Sequence, residues 1–339
     1  MKVGHVGVGI VGLRRARVVR EHPDTSSVIV ADVDIEQARK AALEIGCDFT
    51  ADWKEVVTRR DIDLVIVSTP TNLLAPISIA AMENGKHVLC EKPLGMNPEE
   101  VERMAETARA NNVKLKAGFT LRHHPAISKA KALVSGGAIG EIDFVNCRYG
   151  HTGRPGYDKE WRLNQEMTGG GQLLDQGIHA VDLFRWFVGD FVEVTGLTAT
   201  RFWNTALEDN ATALFKTKDR QIASLHVSWT RWRNLFSFEV FGHEGYLIVE
   251  GIGGSYGKEK LIRGWIAPPN NWPPKEEVTE TPDPTICWRH EWDEFVNAIR
   301  EDREPIGNGY DGLQAIRLVY DVYTAQRTGR IVKLTSRVN

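Results

Sequence analysis

Lys2-Val3-Gly4-His5-Val6-Gly7-Val8-Gly9-Ile10-Val11-Gly12 is the stretch on which the reading of the fold turns. A short apolar run of strand length meets the pattern Gly-x-Gly-x-x-Gly, and an amphipathic helical pattern, Gly12–Glu21, follows. Alone the glycine pattern is weak; between a strand and a helix it has a mechanism. Gly7 permits the tight turn, Gly9 lets backbone approach a pyrophosphate, and Gly12 lets helix and strand pack closely. The phosphates are expected on the helix N-terminus, where unpaired N–H groups and the helix dipole favour anions. Asp32 ends the second apolar run, about twenty residues past the last glycine, where a carboxylate accepts hydrogen bonds from adenosine ribose hydroxyls. The same charge repels a 2′-phosphate, so NAD is expected rather than NADP. Arg14 and Arg15 are the residues that would reverse this by reaching the 2′-position. Asp34 is placed to cap the next helix. Ser68-Thr69-Pro70-Thr71-Asn72 follows the third strand, at the edge where parallel sheets bind ligands, and its backbone is expected beside the nicotinamide-side ribose. The expected cofactor contacts are Gly7, Gly9, Ile10, Val11, Gly12, Asp32, Ser68, Thr69, Pro70 and Asn72, together with Glu91 and Lys92 further along the same sheet edge.

Outward from that loop, strands at Lys2–Val6, Val28–Ala31, Leu64–Ser68, His87–Cys90 and Leu115–Gly118 alternate with helical patterns at Gly12–Glu21, Ile35–Ile45, Asp52–Val57, Leu73–Asn84 and Pro98–Asn111. Near-continuous apolar strands alternating with helices specify a parallel sheet covered on both faces, a doubly wound Rossmann-type domain. The pattern changes after Phe119. A helix at Ala126–Ser135 leads to a strand at Ile142–Tyr149, then a helix at Gly171–Val188 and alternating strands at Val192–Arg201, Ala211–Thr217, Gln221–Trp229 and Leu235–Phe241. Consecutive hairpin-like strands predict an α+β domain with a large, open, mainly antiparallel sheet. Pro268–Pro284 reads as a loop, and helices at Trp288–Arg300 and Tyr310–Gln326 close the chain.

Length agrees with this division. The chain has 339 residues, and single cores stop growing at roughly 250–300, so two domains are expected, 1–121 and 122–339. A formal charge of −3 gives no bulk attraction to nucleic acid or anionic lipid. The start runs straight into a strand, Lys2 to Val8, with no signal-peptide pattern, and no apolar run approaches the ~18 residues of a membrane span. Cys47, Cys90, Cys147 and Cys287 are scattered, and read as reduced thiols of a cytoplasmic protein with no zinc site. Of the ten tryptophans only Trp53 precedes Trp161; most are expected in core and subunit packing, with one or two free to line a sugar pocket.

Cys90-Glu91-Lys92-Pro93-Leu94 places an ionisable pair directly after a strand, at the ligand edge of the sheet. With the glycine loop before it, the stretch Ala81-Met82-Glu83-Asn84-Gly85-Lys86-His87-Val88-Leu89-Cys90-Glu91-Lys92-Pro93 closely resembles the signature of the glucose–fructose oxidoreductase / inositol dehydrogenase family, Gfo/Idh/MocA. Gly169-Gly170-Gly171-Gln172-Leu173-Leu174-Asp175-Gln176-Gly177-Ile178-His179 resembles that family's second motif. The resemblance implies a Rossmann domain followed by a domain whose open sheet serves oligomerisation as a homo-dimer or homo-tetramer, with substrate held over the nicotinamide in the cleft between them. It implies that Lys92 contacts the reacting region, with Glu91 beside it, and it admits a cis Lys92–Pro93 bond. Many relatives carry a histidine where this chain has Leu74, so any proton-relay contact of that histidine is not carried over.

Asp175, His179 and Asp182 are spaced to form one polar stripe on a helix whose neighbours Leu173, Leu174, Ile178, Val181, Leu183 and Phe184 are apolar. A stripe on a buried helix either faces a cleft or is paired internally. Oxidising a carbinol requires the hydroxyl proton to leave with the hydride. His179 is the expected general base, Lys92 the donor that stabilises alkoxide charge, and Asp175 the group that orients them or holds a neighbouring hydroxyl. Glu91 is expected to position Lys92, and Asp182 to be structural. No metal is expected, since Lys92 supplies the positive charge. Substrate contacts are further expected from Arg154, Tyr157, Trp161 and Arg162 in the loop His151–Arg162, and from Arg122 and His124 at the domain junction. Two arginines there suggest a carboxylate or phosphate on the substrate. The expected activity is NAD-dependent oxidation or reduction of a sugar, sugar derivative or cyclic polyol. The alternatives are a redox-neutral glycoside-cleaving enzyme using tightly held NAD, and a non-catalytic NAD-binding sensor.

Overall fold

The computed structural model describes residues 1–154, 156–266, 273–281, 283 and 285–334. They form two compact units. The first comprises Met1–Thr120, Glu166–Gly169 and Trp288–Gln314; the second comprises Leu121–Gln165, Gly170–Cys287 and the chain from Ala315 onward.

The first unit is built on β1 (Lys2–Val6), β2 (Ser26–Ala31), β3 (Asp48–Thr50), β4 (Leu64–Val67), β5 (His87–Cys90) and β6 (Leu115–Ala117). They pair in parallel in the order β3-β2-β1-β4-β5-β6, the doubly wound order of dinucleotide-binding sheets. The order reverses between β1 and β4, where α1 (Ile10–Glu21) and α4 (Thr71–Glu83) begin. Local chemistry sets the helix ends. Asp34 caps α2 (Ile35–Ile45) by accepting from the Glu36 and Gln37 amides, and Gly46 ends it in the left-handed region. Asp52 caps α3 (Trp53–Thr58), and Asn97 caps α5 (Pro98–Ala110). The strand β3 was not expected; at three residues, Asp-Phe-Thr, it is too short and too polar to show a period. The sheet's second cover comes from far along the chain. Trp292, Phe295 and Val296 of α9 (Ile286–Arg300) pack with Val3, Val19, Leu64, Ile66 and Leu89, and burying one such phenylalanine is worth about 1.5–3 kcal/mol.

In the second unit, α6 (Pro125–Ser135) leads to β7 (Ile142–Gly150). Beyond it lie the single turn α7 (Gln165–Thr168), whose last three residues belong to the first unit, and then α8 (Ile178–Val188). β8 (Phe191–Ala199), β9 (Asn210–Thr217), β10 (Ile222–Ser228), β11 (Leu235–Gly242), β12 (Gly245–Glu250), β13 (Lys260–Trp265), β14 (Lys275–Glu280) and β15 (Val332–Lys333) complete a nine-stranded sheet with β7. Its order is β14-β13-β12-β11-β7-β10-β9-β8-β15, antiparallel except for the parallel pair β7 and β10. Phe184 and Phe187 of α8 cover one face through Phe215 and Phe238. The expected loop Pro268–Pro284 is corrected in part: Lys275–Glu280 pairs with β13, as an edge strand whose Lys-Glu-Glu-Val-Thr-Glu sequence is mostly exposed and lacks the alternation of a half-buried strand. The rest of that stretch that lies at 268–272, 282 and 284, including Trp272, is outside the described residues. Trp229 and Trp292 are core residues, whereas Trp232 is exposed. All four cysteines are free thiols. Among the described residues no helix is long and apolar enough to cross a membrane.

His5 of β1 is buried beside Ser27, its Nε2 2.9 Å from the Ser27 hydroxyl oxygen. Burial lowers its pKa from 6.5 to about 3. A depressed value means that the folded chain keeps the ring neutral where the unfolded chain protonates it. The associated stability is present above pH 6.5 and is lost as pH falls toward 3, at about 1.4 kcal/mol per pH unit. Urea unfolding at pH 6.5 and pH 5 should show the wild type losing about 2 kcal/mol more than His5→Asn. Parallel losses in the two proteins would refute this.

Candidate functional site

The loops after β1 and β4 meet at the point where strand order reverses. Gly7 has φ +84°, and a Cβ there would stand 2.6 Å from the Ser68 carbonyl oxygen. A Cβ on Gly12 would collide with the Gly7 carbonyl oxygen, whereas one on Gly9 would meet only open space. The start of α1 has no side-chain cap and no acidic residue in its first turn, so Ile10 and Val11 open a helix end suited to an anion. Asp32 accepts from the Val8 amide at 2.9 Å, the Asp34 amide at 3.1 Å and the Gln37 side chain at 2.9 Å. These bonds fix the carboxylate beside the glycine loop. Ser68 Oγ and Asn72 Oδ1 are buried with no hydrogen-bond partner among the described residues, as expected of groups awaiting a polar ligand. Thr69 and Pro70 lie between them, half-buried. An open glycine approach, a bare helix start, an acid for the ribose and two unsatisfied polar atoms together fit NAD.

Glu91 and Lys92 follow β5 in the same unit, and the Lys92–Pro93 peptide is cis. Arg15, expected as a possible 2′-phosphate contact, is instead buried: its Nε donates to Glu91 at 2.6 Å and its Nη1 to Glu291 of α9 at 2.9 Å. Burial alone would lower the guanidinium pKa, but the two carboxylates reverse this and hold it above its usual range. Thr120 donates to Glu291 at 2.9 Å. Arg14 lies over the Trp288 ring at 5.3 Å. Both arginines are thus engaged within the unit. Cys90, next to Glu91, is no nucleophile at neutral pH, because burial pushes its thiol up to about 12.

In the second unit the helix bearing the polar stripe does not begin as an α-helix. Leu173–Gly177 is a π-helical turn that continues into α8. Between Leu173 and Phe184 only Asp175, Gln176 and His179 escape full burial. The stripe stops there: Asp182 is buried and held by Arg122 at 2.8 and 2.6 Å. Arg122 and His124, expected against substrate, are instead internal, Arg122 through this bidentate pair and His124 through Glu259 at 2.8 Å. Leu74 is a buried core residue of the first unit.

Around Asp175 stand residues that the sequence reading gave no role. Gln176 donates to the Tyr256 hydroxyl at 3.0 Å and accepts from Gln172 at 2.6 Å. Tyr149 and Tyr256 pack edge to face at 5.3 Å. Burial raises both phenols, and the Asp175 charge adds to each shift. His151 Nδ1 accepts from the Gly153 amide at 2.9 Å, which leaves Nε2 to carry the proton. Burial lowers the His151 pKa, with Asp175 opposing and Arg162 and Arg154 reinforcing the shift. Tyr157 is buried among Leu163, Trp203 and Trp229, so it anchors the loop. Trp161 is covered by the Arg162 guanidinium at 4.7 Å. Arg154 pairs with Glu160 at 2.8 Å, and Arg162 lies 3.5 Å from the same carboxylate. Tyr256 sits in a turn and Tyr149 at a strand end, neither with a spacing signal; Gln176 lies within the quoted segment Gly169–His179 and His151 opens the quoted loop, so these two were the findable ones.

Residues 1–119 match the GFO/IDH/MocA domain described as "Oxidoreductase family, NAD-binding Rossmann fold", and residues 127–248 match the GFO/IDH/MocA C-terminal domain. The chain is 34% identical over 175 residues to levoglucosan dehydrogenase of Pseudarthrobacter phenanthrenivorans, a match covering 51% of this chain and 45% of that protein. It thus spans about half the length of some relatives it matches. It is 29% identical over 335 residues to 1,5-anhydro-D-fructose reductase of Ensifer adhaerens, covering 96% of this chain and 97% of the other. A solved levoglucosan dehydrogenase in complex with NADH and levoglucosan shares the fold, with a TM-score of 0.90, 24% identity and 99% of each chain covered.

Asp32→Ala should weaken NADH binding by about 10- to 100-fold, the worth of one or two hydrogen bonds to a charged group. Quenching of tryptophan fluorescence on titration measures this, and an affinity within twofold of wild type would refute the assignment.

Proposed function

The chain belongs to the Gfo/Idh/MocA oxidoreductase family, and from that premise we propose that it transfers a hydride between NAD and a hydroxyl- or keto-bearing ring carbon of a sugar, sugar derivative or cyclic polyol. The observation that carries the reading is the partial exposure of Asp175 and His179, with Gln176 between them, on a stretch otherwise buried from Leu173 to Phe184, in a chain whose first unit is the family's NAD-binding Rossmann fold. In the proposed reaction His179 takes the hydroxyl proton as the carbinol hydride departs, and Lys92 donates to the same oxygen as its charge grows. NAD, when bound, accepts the hydride at its nicotinamide ring. Asp175 accepts from a neighbouring hydroxyl and thereby orients the ring. Glu91, tied to buried Arg15, steadies the turn that bears Lys92. In the reverse direction the same groups return proton and hydride to a ketone.

Arg154 and Arg162 share Glu160, which offsets one of their two charges, and the positive charge that remains favours a carboxylate or phosphate on the substrate. Trp161 and Tyr256 are the proposed aromatic contacts, since a flat ring face suits the C–H face of a sugar. We also propose a cytoplasmic homo-oligomer. Free thiols support the compartment. For assembly, the sheet face opposite α8 carries a row across its strands: Tyr246 stacks on Phe241, Phe241 on Phe144 at 4.7 Å, and Phe144 stands in register with exposed Ile222. A second copy of the chain is the proposed cover.

Absorbance of NADH should rise with NAD and one class among inositols, neutral sugars, anhydrosugars, uronates and nucleotide sugars. Lys92→Ala and His179→Ala should each lower kcat/KM by at least about 100-fold. Product release from a glycoside without net NADH would replace this reading by the redox-neutral one, and bound NAD with no turnover would replace it by a sensor.

A further inference from the structure

The helix presenting Asp175 and His179 starts at three backbone amides, and a single residue from outside the helix satisfies all three. Glu208 accepts from the Gly171 amide through Oε2 at 3.0 Å and from the Leu173 amide through Oε1 at 3.0 Å. Its own carbonyl accepts from the Gln172 amide at 3.0 Å. Tyr323, on α10 (Gly309–Thr328), donates its hydroxyl to Glu208 Oε1 at 2.7 Å. The glycines of Gly170-Gly171 make this approach possible. A Cβ on Gly171 would stand 2.7 Å from the Glu208 carboxylate, and one on Gly170 would stand 2.6 Å from the Tyr323 hydroxyl. The next residue holds Glu208 from behind: the Asp209 carboxylate accepts from the Arg201, Phe202 and Trp203 amides.

We infer that Glu208 is a positioning residue that fixes the start of the π-turn and so sets the direction in which Asp175 and His179 point. The inference rests on the proposed roles of those two side chains. A helix start must find partners for its first amides, and a π-turn is a rare form that local contacts must hold. Relaxation to α-helical bonding would shift the turn by one residue, a rotation of roughly 100° of Asp175 relative to His179. Glu208 never touches substrate in this scheme; it acts through the backbone.

The test uses the full chain as Glu208→Ala, Glu208→Gln and Tyr323→Phe, with three readouts: NADH titration, hydrogen–deuterium exchange of the segment 171–179, and steady-state kinetics on the best sugar. Glu208→Ala should keep NADH affinity and the KM for NAD within twofold, raise exchange across 171–177 at least tenfold, and lower kcat by 10- to 100-fold. Glu208→Gln keeps one carbonyl acceptor and should fall between wild type and alanine. Tyr323→Phe leaves Glu208 in place and should lower kcat two- to fivefold, which keeps the idea testable if the alanine variant does not fold. Unchanged exchange in Glu208→Ala, or raised exchange with unchanged kcat, overturns the inference alone. A wild type that binds NADH but turns over no sugar overturns the functional reading, and the inference with it.

Discussion

A buried guanidinium between two carboxylates is the constraint on which the first unit depends. Arg15 leaves the first turns of α1, meets Glu91 just past β5 and Glu291 on α9, and so joins three segments distant in sequence at one charge. Removing one partner from such a cluster costs about 3–5 kcal/mol, because the remaining charges stay buried without compensation. The cluster is therefore a requirement for a particular arrangement more than a source of net stability. It ties the turn that follows β5, where Glu91 and Lys92 stand, to the helix that opens on the glycine loop, so the two are set by one contact.

The second unit solves a related problem with hydrogen bonds. Its polar helix must be buried to be rigid, yet must leave a few groups accessible. The π-turn and Glu208 bring Asp175 and His179 to partial exposure, while Arg122 closes off Asp182 one turn on. In the neighbouring loop Arg154 and Arg162 share Glu160, which holds both guanidiniums in place and offsets one of their two charges.

Much of the first unit was legible because its signals are local. The glycine loop, Asp32, the Asp34 cap and the buried parallel strands each lie within a few residues of the structure they specify. The helix carrying Asp175 and His179 was also visible, but its π-turn was not, since a helical period of apolar residues does not report an extra residue in one turn. Arg122 and His124 read as cleft residues from their position at a junction; only a three-dimensional fold shows that Asp182 and Glu259 claim them. Tyr256, Glu208 and Glu291 lie far along the chain from the groups they touch, with no motif of their own. The edge strand β14 escaped for the opposite reason: a strand paired on one side and mostly exposed has no apolar pattern to display.

The distance between Arg15 and Glu291 also governs how the chain can be made. They stand 276 residues apart, which at about 5–20 residues per second is tens of seconds of synthesis. Through that interval the nascent Rossmann sheet has neither the carboxylate that completes its buried charge cluster nor the α9 side chains that cover Val3, Leu64, Ile66 and Leu89. The nucleotide-binding unit is therefore completed only after most of the chain that follows it has been made. The unit is not a cassette that can be cut out after residue 120, because Trp288–Gln314 is part of it.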